Sequence, residues 1–187
     1  MENMLKRLGK TVRIVRAPQD LAGAEHIILP GVGAFDAGMQ VLNESGLASA
    51  IKAKAEAGVP LLGVCLGMQL LGQSSEEGTQ AGLGLVPAQT KKLPVLANTK
   101  VPHMGWCELE AGPAGQYLRG MQEPRFYFVH SYHVELNEPE CVVAWARYPV
   151  RFVAAYRYKN MFGMQFHPEK SHRYGMALLD AFVTGKM

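Results

Sequence analysis

The stretch Pro60-Leu61-Leu62-Gly63-Val64-Cys65-Leu66-Gly67-Met68-Gln69-Leu70-Leu71 holds the densest structural information in the chain. It opens as a short, continuous apolar run, the signature of a strand buried on both faces of a parallel sheet. It then passes through G-x-C-x-G into a helical segment, Leu66 to Leu71. A strand that turns sharply into a helix through G-x-S-x-G is a nucleophile elbow, and here Cys takes the place of Ser. Gly63 and Gly67 remove side chains where such a turn packs closely. Cys65 would sit at the start of the helix, where the dipole and unpaired N–H groups favour a thiolate. The N–H of Leu66 is then placed to hold an oxyanion.

Outward from the elbow the pattern repeats. His26-Ile27-Ile28-Leu29 reads as a second buried strand, followed by Pro30-Gly31-Val32-Gly33-Ala34-Phe35 and a helical region from Phe35 to Ala57, interrupted near Ser45-Gly46. The two glycines let backbone N–H groups approach a substrate oxygen, although the same residues also suit a plain turn. Met1, Met4, Leu5 and Leu8 are spaced as one face of a short helix, and Thr11 to Arg16 alternates like a strand. Helices alternating with apolar strands imply an α/β fold: a mostly parallel central sheet with flanking helices. The second half is strand-rich, with candidates at Phe126 to Val129, Cys141 to Trp145, Val153 to Tyr158 and Met161 to Phe166. Tyr174 to Val183 reads as a closing helix.

Composition narrows the function classes. With 187 residues and no repeat or linker, a single domain, 1–187, is expected. Nineteen basic against sixteen acidic residues give a net charge of +3, too mild and too scattered to argue for nucleic acid. No apolar run approaches the ~20 residues of a membrane span, and the N-terminus lacks the apolar core of a signal peptide. The three cysteines Cys65, Cys107 and Cys141 are widely spaced. They suit neither a disulfide framework nor a metal site, so no metal and no cofactor is expected and a cytoplasmic location is.

A thiolate nucleophile needs a base, and His167 is the best placed of six histidines. Met164-Gln165-Phe166-His167-Pro168-Glu169 runs off a strand end, where Pro168 stops a central ladder. In extended geometry His167 and Glu169 share a side, and a carboxylate beside an imidazole fixes its tautomer and stabilises its charged form. Ligands of open α/β sheets gather at the carboxyl ends of strands, where both Cys65 and His167 lie. His26 suits a structural role, and His172 an exposed one.

Together these motifs resemble the class I, triad-type glutamine amidotransferases. Pro30 to Phe35, Pro102-His103-Met104-Gly105-Trp106 and Tyr127-Phe128-Val129-His130-Ser131-Tyr132 resemble the branch formed by glutaminase subunits of imidazole glycerol phosphate synthase. The resemblance implies a flavodoxin-like sheet and a Cys65–His167–Glu169 triad that hydrolyses L-glutamine through a thioester. It implies backbone oxyanion donors at Leu66 and within Val32-Gly33, and glutamine contacts from Gln69, Ser131, Tyr132 and Gly31. It implies a heterodimer in histidine biosynthesis, with a (β/α)8-barrel cyclase subunit that takes up the ammonia and with Lys170, Trp106 and His103 near the interface. Members of that branch begin with a strand and loop of the type I-D-Y-G-x-G-N, for which this sequence shows no counterpart. The alternative expectation is therefore an N-terminally truncated, inactive or weakly active member that serves as a binding subunit.

Overall fold

The computed structural model describes residues 1–97, 99–118 and 120–187. The elements follow in chain order. First come α1 (Glu2–Arg7), β1 (Ile27–Gly31), α2 (Phe35–Glu44), α3 (Leu47–Glu56), β2 (Leu61–Cys65) and α4 (Leu66–Leu70). Then come β3 (Ser74–Ser75), β4 (Ala88–Lys92), β5 (His103–Glu108), β6 (Glu110–Ala111), β7 (Arg125–His130) and β8 (Tyr132–Leu136). The chain closes with β9 (Val142–Arg147), β10 (Arg151–Tyr158), β11 (Met161–Met164) and α5 (His172–Val183).

The main sheet runs β1-β2-β11-β10-β8-β4-β3, with β9 also on β10 and β6 on β9. It is mixed. Only β1, β2 and β11 form a parallel core, beside a short parallel β3–β4 pair, and the other ladders are antiparallel. The α/β class and flanking helices stand, but the parallel portion is smaller than the sequence suggests. The reason lies in the connections. Helical crossovers link β1 to β2, whereas the short segments after β9 and β10 leave room only for antiparallel returns. A separate ribbon pairs β5 with β7, in antiparallel register from His103 opposite His130 to Glu108 opposite Arg125.

β2 is buried along its whole length. Leu61 faces one core with Phe35, Met39, Ile51 and Met68, while Leu62 and Val64 face the other with Phe126, Phe162 and Phe182. That split across alternate residues is why the strand reads as a continuous apolar run. α2 buries Phe35, Met39 and Leu42, and α5 buries Gly175, Leu178, Leu179 and Phe182, each on one helical stripe. Each large apolar side chain so buried contributes on the order of 1.5–3 kcal/mol. Gly46, at φ +73°, breaks the helical region between α2 and α3 where the sequence places the interruption.

Thr11 to Arg16 departs from expectation. It forms no strand, and Ile14 is 58% exposed. A strand exists through its ladder, and among the described residues β1 pairs with β2 alone. Alternation by itself supplies no partner.

Candidate active site

Cys65 closes β2 and precedes α4 with φ 54° and ψ −111°, a conformation that side chains other than glycine rarely adopt. The flanking glycines show why the turn is so tight. A Cβ on Gly63 would lie 2.6 Å from the Gly67 carbonyl oxygen, and one on Gly67 would run into the Leu29 carbonyl oxygen. The elbow thus packs its own turn against β1, and the nucleophile occupies the strained position.

β11 lies beside β2 in parallel, Met164 opposite Val64, so the chain leaves both strands at the same end of the sheet. The segment after β11 carries His167. Its Nδ1 lies 2.8 Å from Glu169 Oε1. A set of bonds clamps this turn: His167 N–H donates to the Tyr127 carbonyl at 2.8 Å, and the Ser171 hydroxyl donates to the His167 carbonyl at 2.7 Å. Ser171 Oγ also accepts the Tyr127 N–H at 3.0 Å. Ser171 is fully buried, and nothing in the sequence alone marks it as a clamp.

The electrostatics follow from these neighbours. The Cys65 sulfur, then the Glu169 carboxylate, push the His167 pKa up to about 9, against burial that acts to lower it. Burial acts to raise the Glu169 pKa, but the His167 hydrogen bond and charge outweigh it and hold the carboxyl below the usual range. Both neighbours therefore favour the charged form of His167 over the neutral ring.

One cleft of about 350 Å³ gathers Cys65, Leu66, His167, Val32, Gly33, Gln69, Ser131, Tyr132 and Lys170. Val32 is 81% exposed, and Gly33 adopts φ +101°, which suits a loop presenting backbone donors. Gly31 sits one residue back, in register with Cys65, where a Cβ would press on Leu66. Gln69 Nε2 is engaged by the Tyr132 carbonyl at 3.3 Å and Gln165 Oε1 at 3.2 Å. Its acceptor oxygen receives no hydrogen bond among the described residues, leaving it available to an ammonium group.

The cleft also holds Glu77, Pro102, Val129 and His130, which sequence reasoning missed. Glu77 accepts the Phe35 N–H at 2.8 Å and so fixes the start of α2 behind the Val32 loop. Gln165 is fully buried with its Nε2 3.8 Å from Cys65 Sγ. It lies within the quoted motif, but an amide two residues from a catalytic His gives no local cue of its direction.

The residues expected at a partner face divide. Trp106 is 48% exposed, stacks on His172 and meets the Tyr127 ring, over which Lys170 Nζ lies at 5.5 Å. His103 is only 3% exposed, because β5 turns its side chain inward while Met104 and Trp106 face solvent. Cys107 and Cys141 lie outside the cleft and, like Cys65, are free thiols. Among the described residues no group of three potential metal ligands converges, and no helix is long and apolar enough to cross a membrane.

Comparison with known proteins agrees with this geometry. The family described as glutamine amidotransferase class-I matches residues 1–185. Imidazole glycerol phosphate synthase subunit HisH 2 of Pseudomonas aeruginosa is 45% identical, over 97% of this chain and 91% of that protein. Subunit HisH of Moorella thermoacetica is 46% identical, over 97% of this chain and 87% of that protein. Among solved structures, a glutamine amidotransferase matches with a TM-score of 0.76 at 22% identity, over 98% of this chain and 92% of that one. The glutaminase domain of Trypanosoma brucei CTPS matches with a TM-score of 0.67 at 17% identity, over 98% and 85% of the two chains. These structures speak to the fold, and the closer sequence relatives to the branch. An elbow cysteine, an imidazole held by a carboxylate and a match along nearly the whole chain agree: the protein belongs to the class I glutamine amidotransferase family, among the HisH subunits of imidazole glycerol phosphate synthase.

Proposed function

We infer that residues 1–187 form a single glutaminase domain that hydrolyses L-glutamine and passes the ammonia to a cyclase subunit in histidine biosynthesis. The observation that carries this reading is the 2.8 Å bond between His167 and Glu169 in the cleft that holds the Cys65 elbow.

In this reading the Cys65 thiolate attacks the side-chain carbonyl carbon of glutamine. The oxyanion is held by the Leu66 N–H and by the Val32-Gly33 backbone. The tetrahedral adduct collapses, the C–N bond breaks, and the His167 imidazolium gives its proton to the leaving nitrogen. Ammonia departs and a γ-glutamyl thioester remains on Cys65. Neutral His167 then takes a proton from water, the hydroxide displaces the thiolate, and glutamate leaves. Glu169 orients His167 and stabilises its charged form throughout. Gln69 Oε1 accepts from the substrate's α-ammonium, and Ser131 and Tyr132 line the part of the cleft that receives its α-carboxylate.

The ammonia acceptor is a (β/α)8-barrel cyclase subunit, docked on the face that carries Trp106 and Lys170. A half-exposed Trp beside an exposed Lys is the composition of a hot-spot anchor with a polar rim. The lyase chemistry belongs to that partner. The reaction is cytoplasmic and needs no cofactor or metal in this chain. Glutamate release, measured with and without the cyclase subunit, tests the reading. Partner-stimulated release that Cys65→Ala abolishes is the expected result. No release from the complex would favour a binding subunit without catalysis.

A further inference from the structure

Two buried histidines take no part in the chemistry above, yet they are tied to the cleft by a continuous run of hydrogen bonds. His130 Nδ1 lies 2.8 Å from the Tyr132 carbonyl oxygen. His103 Nδ1 lies 3.0 Å from His130 Nε2. The Tyr132 oxygen also accepts from Gln69 Nε2, whose second partner is Gln165 Oε1, and Gln165 Nε2 points to Cys65 Sγ.

We propose that His103 and His130 are positioning residues for glutamine hydrolysis: a neutral imidazole pair that fixes the Tyr132 carbonyl and, through it, the Gln69 amide. This role rests on the glutaminase reading.

The chemistry of the atoms fixes both tautomers. A carbonyl oxygen only accepts, so His130 Nδ1 carries the hydrogen. Nε2 of the neutral ring is then a lone-pair acceptor, and His103 must donate to it from Nδ1. One backbone carbonyl thereby sets the proton on two rings. A proton added to His130 would set two N–H donors against each other, and burial opposes it as well. Burial holds His103 down to about 4 and, with smaller effects from neighbouring histidines, His130 down to about 3. Both effects favour the neutral pair at neutral pH.

The rings are also held in place. His103 stacks on Tyr148, with centroids 4.1 Å apart and an interplanar angle of 13°, and on Phe128 at 5.1 Å. His130 packs against Phe152 at 5.0 Å. Gln69 matters because its amide has two ends of opposite polarity. With Nε2 committed to Tyr132 and Gln165, only the acceptor end is presented to a substrate ammonium. If Tyr132 were to shift, the amide would lose that orientation, and the site would offer a donor to a cation.

Two measurements test this. Ring-nitrogen NMR of wild-type protein should show both His103 and His130 in the Nδ1–H form, without titration between pH 6 and 8. An Nε2–H or charged ring at either position overturns the proposal, whatever any variant does. Steady-state kinetics of the complex then read the role. His130→Leu should raise KM for glutamine about tenfold with a smaller change in kcat, the effect of losing one buried hydrogen bond. His130→Asn, whose side-chain amide offers a donor at the Nδ1 position, should restore most of the affinity. A folded His130→Leu with wild-type KM contradicts the positioning role. Failure of the wild-type complex to hydrolyse glutamine would defeat the glutaminase reading itself, a result distinct from either.

Discussion

His167 Nδ1 and Glu169 Oε1 are 2.8 Å apart, two residues removed in sequence across Pro168, in a turn closed from both sides by Ser171 and Tyr127. A short turn therefore holds the carboxylate that, after the Cys65 sulfur, favours the charged form of His167.

That pairing predicts a pH signature. The His167 pKa is raised to about 9, so the stability it contributes is fully present below its unfolded value of 6.5 and is lost as pH rises through 9. The Glu169 pKa is lowered, so its contribution is present above its unfolded value of 4.5 and is lost as pH falls below it. Denaturant unfolding of wild type and Glu169→Gln should thus differ most between pH 4.5 and 6.5, and converge towards pH 9. In kinetics, Glu169→Gln should lower kcat/KM by about 10²-fold or more and move the alkaline limb to lower pH, a limb that belongs to the coupled Cys65–His167 pair. A limb that stays in place would contradict the assignment.

Ser171→Ala tests the clamp. It would leave the Tyr127 N–H and the His167 carbonyl without their buried partner, at a cost of about 1–3 kcal/mol. Glutaminase activity should fall with stability, since the same bonds aim the triad. Replacement by Thr should preserve the hydroxyl but crowd a fully buried site. Unchanged melting and activity in Ser171→Ala would show that the clamp is dispensable.

The backbone at Cys65 makes an unusual prediction. Glycine normally costs about 0.5–1 kcal/mol relative to Ala in a strand or helix. At φ 54° the order should reverse, because a strained non-glycine conformation costs on the order of 1–3 kcal/mol. Cys65→Gly should therefore be more stable than Cys65→Ala by about 1 kcal/mol, with both inactive. Thermal unfolding of the pair reads the sign, and a more stable Ala variant would argue against strain at the elbow.

The partner face predicts a separation of functions. Trp106→Ala should weaken binding of the cyclase subunit by about 2 kcal/mol, some 30-fold, as truncation of a half-exposed aromatic anchor does. Unfolding should change little, since the ring packs on His172 at the surface. Lys170→Glu should weaken binding further at low salt. Calorimetric titration with the cyclase subunit checks both, and wild-type affinity would move the interface elsewhere.

Much of the site was legible because its parts are local. The elbow reads from five residues, and the His167-Pro168-Glu169 turn from three, since chain geometry alone puts those groups together. The parallel core was legible for the same reason, as β1, β2 and β11 are apolar runs followed by marked turns. In the antiparallel half, β7, β9 and β10 were legible as aromatic or β-branched runs, and β4, β5 and β8 were not. β4, β5 and β8 mix polar and apolar residues, and their identity as strands comes from partners far along the chain. Thr11 to Arg16 shows the converse, a fitting pattern with no ladder. The motif does not tell which of its side chains face out: alternation along β5 turns His103 in and Met104 and Trp106 out. Gln165 and Ser171 were invisible because a buried polar residue reveals its task only through the atoms it touches.

The proposed reaction depends on Cys65 carrying the glutamyl group. Rapid acid quench of the complex during glutamine turnover, followed by mass spectrometry of its peptides, tests this directly. One γ-glutamyl group is expected, on the peptide containing Cys65, and none in Cys65→Ala. Glutamate and ammonia released by the Cys65→Ala complex at the wild-type rate, or an adduct on Cys107 or Cys141, would contradict it.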